Sequence, residues 1–122
     1  NDDVVLTNGE VRDLCKPDTV VSPLINGSDR KIFHAHVSCL PKSVWEKVGR
    51  IDERFACYWS DTDYAKRLVD AGVPVEINKN VDFMHEHPAR TLQRYQGITE
   101  RSDEEKFVEK WGRTWFDPVR GT

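Results

Sequence analysis

The segment from Ser60 to Gly72 constrains the fold of this chain more than any other. Its apolar residues Tyr64, Ala65, Leu68 and Val69 recur at the spacing of one helix face. Ser60 is a good N-cap residue, and Asp63 three positions on completes a variant of the capping box. Gly72 closes the helix, as glycine does just past a helix C-terminus. A β-branched segment, Pro74-Val75-Glu76-Ile77, follows at once and reads as a strand, with Val81-Asp82-Phe83-Met84 as a second. A helix running directly into strands points to an α/β domain.

The rest of the chain reads in the same terms. Val4 to Thr7 is a short strand ended by the turn dipeptide Asn8-Gly9. Glu10 to Leu14 forms a helical turn that stops at Lys16-Pro17. Thr19-Val20-Val21-Ser22 is a brief strand closed by Pro23, and Asn26-Gly27-Ser28-Asp29 is a loop. Lys31 to Cys39 is strand-like. Pro41 opens a helix at its first position, with Val44, Trp45 and Val48 on one face and Gly49 as its C-terminal cap. Ser102 with Glu105 forms a further capping box. It opens a helix that turns Phe107, Val108 and Trp111 inward and ends at Gly112.

A chain of 122 residues, 38% hydrophobic and 32% charged, is one globular domain or part of one. The net charge of -3 and the lack of any Lys/Arg run leave no footprint for nucleic acid. No apolar stretch reaches membrane-spanning length, and no signal peptide is visible. Cys15, Cys39 and Cys57 fit neither a zinc pattern nor a disulfide framework, and read as reduced cytosolic thiols.

Three polar clusters carry the chemistry. Asn1-Asp2-Asp3 precedes the first strand, Ser60-Asp61-Thr62-Asp63 opens the clearest helix, and His85-Glu86-His87 follows an apolar strand. Carboxylates and imidazoles on separate segments can converge on a divalent cation, and a spare carboxylate can act as a general base. Asn1-Asp2-Asp3 runs straight into Val4-Val5-Leu6 without a cap, so the chain is expected to begin inside a larger domain.

Residues 35 to 85 resemble the C-terminal half of the family 2 glycosyltransferases of the GT-A fold. The resemblance lies in four pieces in order. They are Val44-Trp45-Glu46-Lys47-Val48-Gly49-Arg50-Ile51-Asp52-Glu53-Arg54-Phe55; Trp59-Ser60-Asp61-Thr62-Asp63 with the helix after it; Val81-Asp82-Phe83-Met84-His85; and Lys110-Trp111-Gly112. Asn1-Asp2-Asp3 resembles the family's metal-binding Asp-x-Asp motif, with Asn1 in place of the first aspartate. The resemblance covers nearly the whole chain. It implies a partial GT-A domain, with a mixed sheet flanked by helices. Residues 1–122 would be its metal- and acceptor-binding part, and the nucleotide-binding part that precedes the Asp-x-Asp motif would be absent.

The implied activity is inverting transfer of a sugar from a nucleotide-sugar donor to a glycan or another hydroxyl acceptor. Asn1 and Asp3 would contact the donor through a divalent metal, Mn or Mg, held by Asp3 and His85. His87, two residues on and on the same side of a strand, is the alternative to His85. Asp61 would be the catalytic base, kept ionised by the positive end of its helix. Ser60 departs from the family's usual glutamate. Asp63 is either structural or acceptor-orienting. Tyr58 and Trp59 would form an aromatic wall for the acceptor, and His34 and His36 are further candidates near its channel.

The implied setting of the parent enzyme is the cytoplasm, in peripheral association with the inner face of the membrane. Two rival readings remain: a metal-dependent hydrolase that uses the same aspartates and histidines, and a truncated non-catalytic domain that only folds and self-associates. Val4, Val5 and Leu6 open the chain as a strand without an evident partner. A homo-oligomer that buries this edge is therefore expected.

Overall fold

The structure is a computed structural model, and it describes residues 4–29, 33, 37–86 and 98–113. Asn1, Asp3, His34, His36, His87 and most of the strand expected over residues 31–39 lie outside the described residues. The described part is mixed α/β. It contains strands β1 (Val4–Asn8), β2 (Val20–Ile25) and β3 (Val75–His85), and helices α1 (Lys42–Val48), α2 (Ser60–Asp70) and α3 (Ile98–Trp111). A 3-10 turn, Val11–Leu14, joins β1 to β2.

The sheet has the order β1-β3-β2. β1 pairs antiparallel with β3, and β2 pairs parallel with it. A parallel pair needs a long crossover, which here contains α1 and α2. Successive residues of a strand face opposite ways, and β2 divides two cores accordingly. Val20 joins Phe33, Val44, Phe55, Tyr64, Ala65, Leu68, Val73 and Phe107 on the helix side. Val21 joins Leu14, Val81 and Phe83 on the side of the 3-10 turn. Tyr64, Leu68 and Phe107 have no exposed surface, and each buried side chain of this size contributes about 2 kcal/mol.

Several sequence expectations need correction. The two strands expected at residues 74–77 and 81–84 are one strand, β3. Its pairing with β2 slips at the polar run between them: Pro23 faces Asn78, and the next residue, Leu24, faces Asp82. The intervening residues bulge out, held by Asn78, whose side chain accepts from the Asn80 N–H at 3.0 Å and donates to the Asp13 carbonyl at 3.0 Å. Pro23 lies inside β2 rather than ending it. A bulge is where a strand tolerates a proline, which has no N–H for the ladder. Gly9 (φ +79°) sits against the bulge, and a β-carbon there would collide with the Asn80 carbonyl and Val81.

The helix starts also differ. Pro41 is the N-cap of α1, not its first residue. Trp45 is 43% exposed, so the buried face of α1 rests on Val44. Ser60 is the first residue of α2, and the position before it is Trp59 in the left-handed conformation (φ 65°, ψ -8°), with no side-chain cap. α3 begins at Ile98, which leaves Ser102 and Glu105 inside the helix instead of at its start. β1 does have a partner, since β3 covers one of its edges; Val5 and Leu6 are exposed.

Candidate active site

His85 is the last residue of β3, and the antiparallel register sets it opposite Val4. Strand alternation places it on the face of Val81 and Phe83, and it is 7% exposed. Asn26 fixes the strand at this point. Its side-chain oxygen accepts the His85 N–H at 2.9 Å, and its amide donates to the His85 carbonyl at 3.0 Å. One side chain thus supplies both hydrogen bonds of a neighbouring strand. The Asn26 N–H continues the ladder to the Phe83 carbonyl at 2.8 Å. Asn26 takes a positive φ of 51°, which asparagine tolerates better than most residues. The sequence signalled only a loop at Asn26-Gly27.

Asp61 lies in the first turn of α2, half-buried. Its Oδ1 accepts the Thr62 N–H at 2.8 Å, one of the donors that a helix leaves without an intrahelical partner at its start. Asp63 is different. It has no exposed surface and makes no cap. Lys110 Nζ lies 2.6 Å from its Oδ1, the Trp111 indole N–H donates to the same oxygen at 2.9 Å, and Arg67 donates to Oδ2 at 3.1 Å. Of the two roles expected for Asp63, the geometry supports the structural one.

Arg67 extends this network to the Val48 carbonyl at 3.2 Å and the Arg50 carbonyl at 2.6 Å, while the Tyr64 hydroxyl donates to the Gly49 carbonyl at 3.0 Å. Lys110 also donates to Asp52 at 2.9 Å. Hydrogen bonds from Arg54, opposed by partial burial and aided by Lys110, hold the Asp52 carboxyl well below the usual carboxylate range. The motif residues Asp52, Arg54, Asp63, Lys110 and Trp111, scattered in sequence, therefore form one structural knot.

The loop between Phe55 and α2 hangs from a second buried carboxylate. Asp103 on α3 has no exposed surface. It accepts the N–H groups of Ala56, Cys57 and Tyr58 at 2.9, 2.8 and 2.9 Å, and Lys106 at 2.9 Å. Burial raises its pKa, but the hydrogen bonds from Ala56, Lys106, Cys57 and Tyr58 outweigh burial and bring it down to about 2. Sequence reasoning missed Asp103, because an aspartate near the start of a helix reads as a solvated one. The clamped loop delivers Tyr58 and Trp59 to the N-terminus of α2. The Trp59 ring packs on Phe107 with centroids 4.9 Å apart, so it is partly a core residue.

Among the described residues, no group of three or more His, Cys, Asp or Glu side chains is assembled to hold a metal ion. None of the described helices is long and apolar enough to cross a membrane.

The Asp103 clamp gives a measurable acid response. A carboxyl whose folded pKa lies below its unfolded value stabilises the fold above the unfolded value, about 3.9. That contribution is lost as pH falls toward about 2. Asp103→Ala leaves three N–H groups without their acceptor, which costs on the order of 3 kcal/mol at neutral pH. Urea denaturation at pH 7 and pH 3 is expected to show this loss, with a smaller drop between the two pH values in the variant than in the parent. An equal drop in both proteins would refute the assignment.

No family model matches this chain, and neither the curated proteins nor the solved structures include a match to it.

Proposed function

We propose that this chain is the metal- and acceptor-binding part of an inverting GT-A glycosyltransferase that moves a sugar from a nucleotide-sugar donor to a hydroxyl acceptor. The observation that carries the reading is the β1–β3 register. It sets Val4 opposite His85, and Asp3 is joined to Val4 by a single peptide bond. His85 and the residue that follows the Asn1-Asp2-Asp3 motif thus face each other, which supports reading the two motifs as one site. An aspartate and an imidazole are a fitting donor set for Mn²⁺ or Mg²⁺, with a donor diphosphate supplying further oxygen ligands. When bound, such a cation offsets the charge that grows on a departing diphosphate.

Within this reading Asp61 takes the proton from the acceptor hydroxyl as its oxygen attacks the anomeric carbon. Asp61 is half-buried in the first turn of α2, with its Oδ1 on the Thr62 N–H. Tyr58 and Trp59, on the clamped loop just before it, support an acceptor sugar. Asn26 positions His85 through the backbone.

Two measurements test the site. In a version that joins this chain to a nucleotide-binding part, Asp61→Asn is expected to slow transfer by ~10²–10⁴-fold while leaving donor affinity nearly unchanged. Near-normal turnover would reduce Asp61 to a partner of the first helical turn. For the metal, Mn²⁺ line broadening in NMR spectra of this chain is expected to centre on His85 and its strand neighbours, and to vanish in Asp3→Ala with His85→Ala. Broadening that survives the double substitution would remove both residues from the metal site.

The same reading includes self-association at β1. This strand stands at one end of the sheet order, and Val5 is 54% exposed on it, beside the exposed Met84 it faces. Exposed apolar edges recruit further strands. Light scattering at micromolar concentration is expected to give at least a dimer mass, reduced to the monomer by Val5→Lys. A clean monomer for the parent chain would end this part of the proposal.

A further inference from the structure

Two of the three thiols meet. Cys39 donates its S–H to the Cys15 sulfur at 3.8 Å, across 24 positions of sequence. The fold brings them together from two directions. Cys39 pairs with Val21 on β2, accepting its N–H at 3.3 Å and donating to its carbonyl at 2.9 Å. Cys15 follows the 3-10 turn, whose Leu14 is buried against that same Val21. Cys15 is exposed and Cys39 half-buried. Cys57 is also exposed, but it lies in the loop clamped by Asp103.

We propose that Cys15 and Cys39 form a redox-sensitive dithiol, which a small disulfide of the glutathione class converts to an intramolecular disulfide. The inference rests on sulfur geometry and is independent of the glycosyltransferase reading. Cys15, the sulfur open to solvent, loses its proton and attacks one sulfur of the oxidant. The oxidant's S–S bond breaks, one thiolate leaves, and Cys15 carries a mixed disulfide. Cys39 then gives its proton to solvent and attacks the Cys15 sulfur, expelling the second thiolate. Two cysteine thiols are oxidised and one external disulfide is reduced to two thiols, so electrons and protons balance. Burial, with the adjacent Cys15 sulfur, pushes the Cys39 thiol up. This suits Cys39 to the second step, where the target is already delivered. The sulfurs must close from 3.8 Å to ~2 Å, a movement that the exposed Cys15 side chain can supply. The link encloses β2 and ties the 3-10 turn to the β-bridge at Cys39.

The test is oxidation of the whole chain with excess oxidised glutathione, followed by mass spectrometry of unreduced peptides. The expected product has lost two hydrogens, joins the Cys15 and Cys39 peptides within one chain, and melts at a higher temperature than the reduced protein. Cys15→Ser and Cys39→Ser each abolish the link while keeping the circular dichroism of the parent, and Cys57→Ser leaves it intact. Three results would overturn the proposal. These are a glutathione adduct that persists on Cys15 with Cys39 reduced, a link to Cys57, and an oxidised chain that melts no higher than the reduced one.

Discussion

Everything on the helix side of the sheet depends on how one buried carboxylate is matched. Asp63 has no contact with solvent, and a charge taken out of water is tolerable only with close, well-oriented partners. It finds them on two helices: Arg67 one turn along α2, and Lys110 and Trp111 at the end of α3. Arg67 in turn holds the carbonyls at the end of α1. The arrangement is directional where the apolar core is not. Phe107, Tyr64 and Leu68 could tolerate small rotations of α3, whereas the Asp63 contacts specify one docking position. With α3 fixed in that position, Asp103 reaches the loop that carries Tyr58 and Trp59 into α2.

The parts of this fold that are local in origin were legible in the sequence. α2 declared itself through Tyr64, Ala65 and Leu68 at helical spacing, and the end of each helix through a glycine at positive φ. What depended on distant neighbours was not legible. Asn78 to Asn80 looked like a break because the residues are polar, yet a bulge holds them within one strand. Trp45 looked like a core residue because it falls on one helix face with Val44 and Val48, yet it is exposed while Val44 is buried. The Ser60–Asp63 and Ser102–Glu105 pairs looked like caps by spacing. In the first, Asp63 gains more from an arginine, a lysine and an indole than from a backbone N–H.

The candidate site divides the same way. Asp61 and His85 could be picked out because the order of motifs marked them. Asn26 and Asp103 could not, since each acts by bonding backbone groups dozens of positions away. Nothing in residue type or spacing separates such an asparagine or aspartate from one on a solvated loop. Polar side chains that serve the backbone are the hardest residues to read from a single sequence, whether exposed like Asn26 or buried like Asp103.

Trp59 holds a backbone conformation that a bulky residue adopts at a cost of about 1–2 kcal/mol. Two contacts to α3 maintain it: its ring on Phe107, and the three N–H groups of the preceding loop on Asp103. The loop is therefore a cocked spring with α3 as its latch. Lifting α3 by a few ångströms would release the indole and the loop amides together, and the chain ahead of α2 would relax to an ordinary conformation. The conformation of the chain just ahead of α2 is thus held by a helix that follows it much later in the sequence.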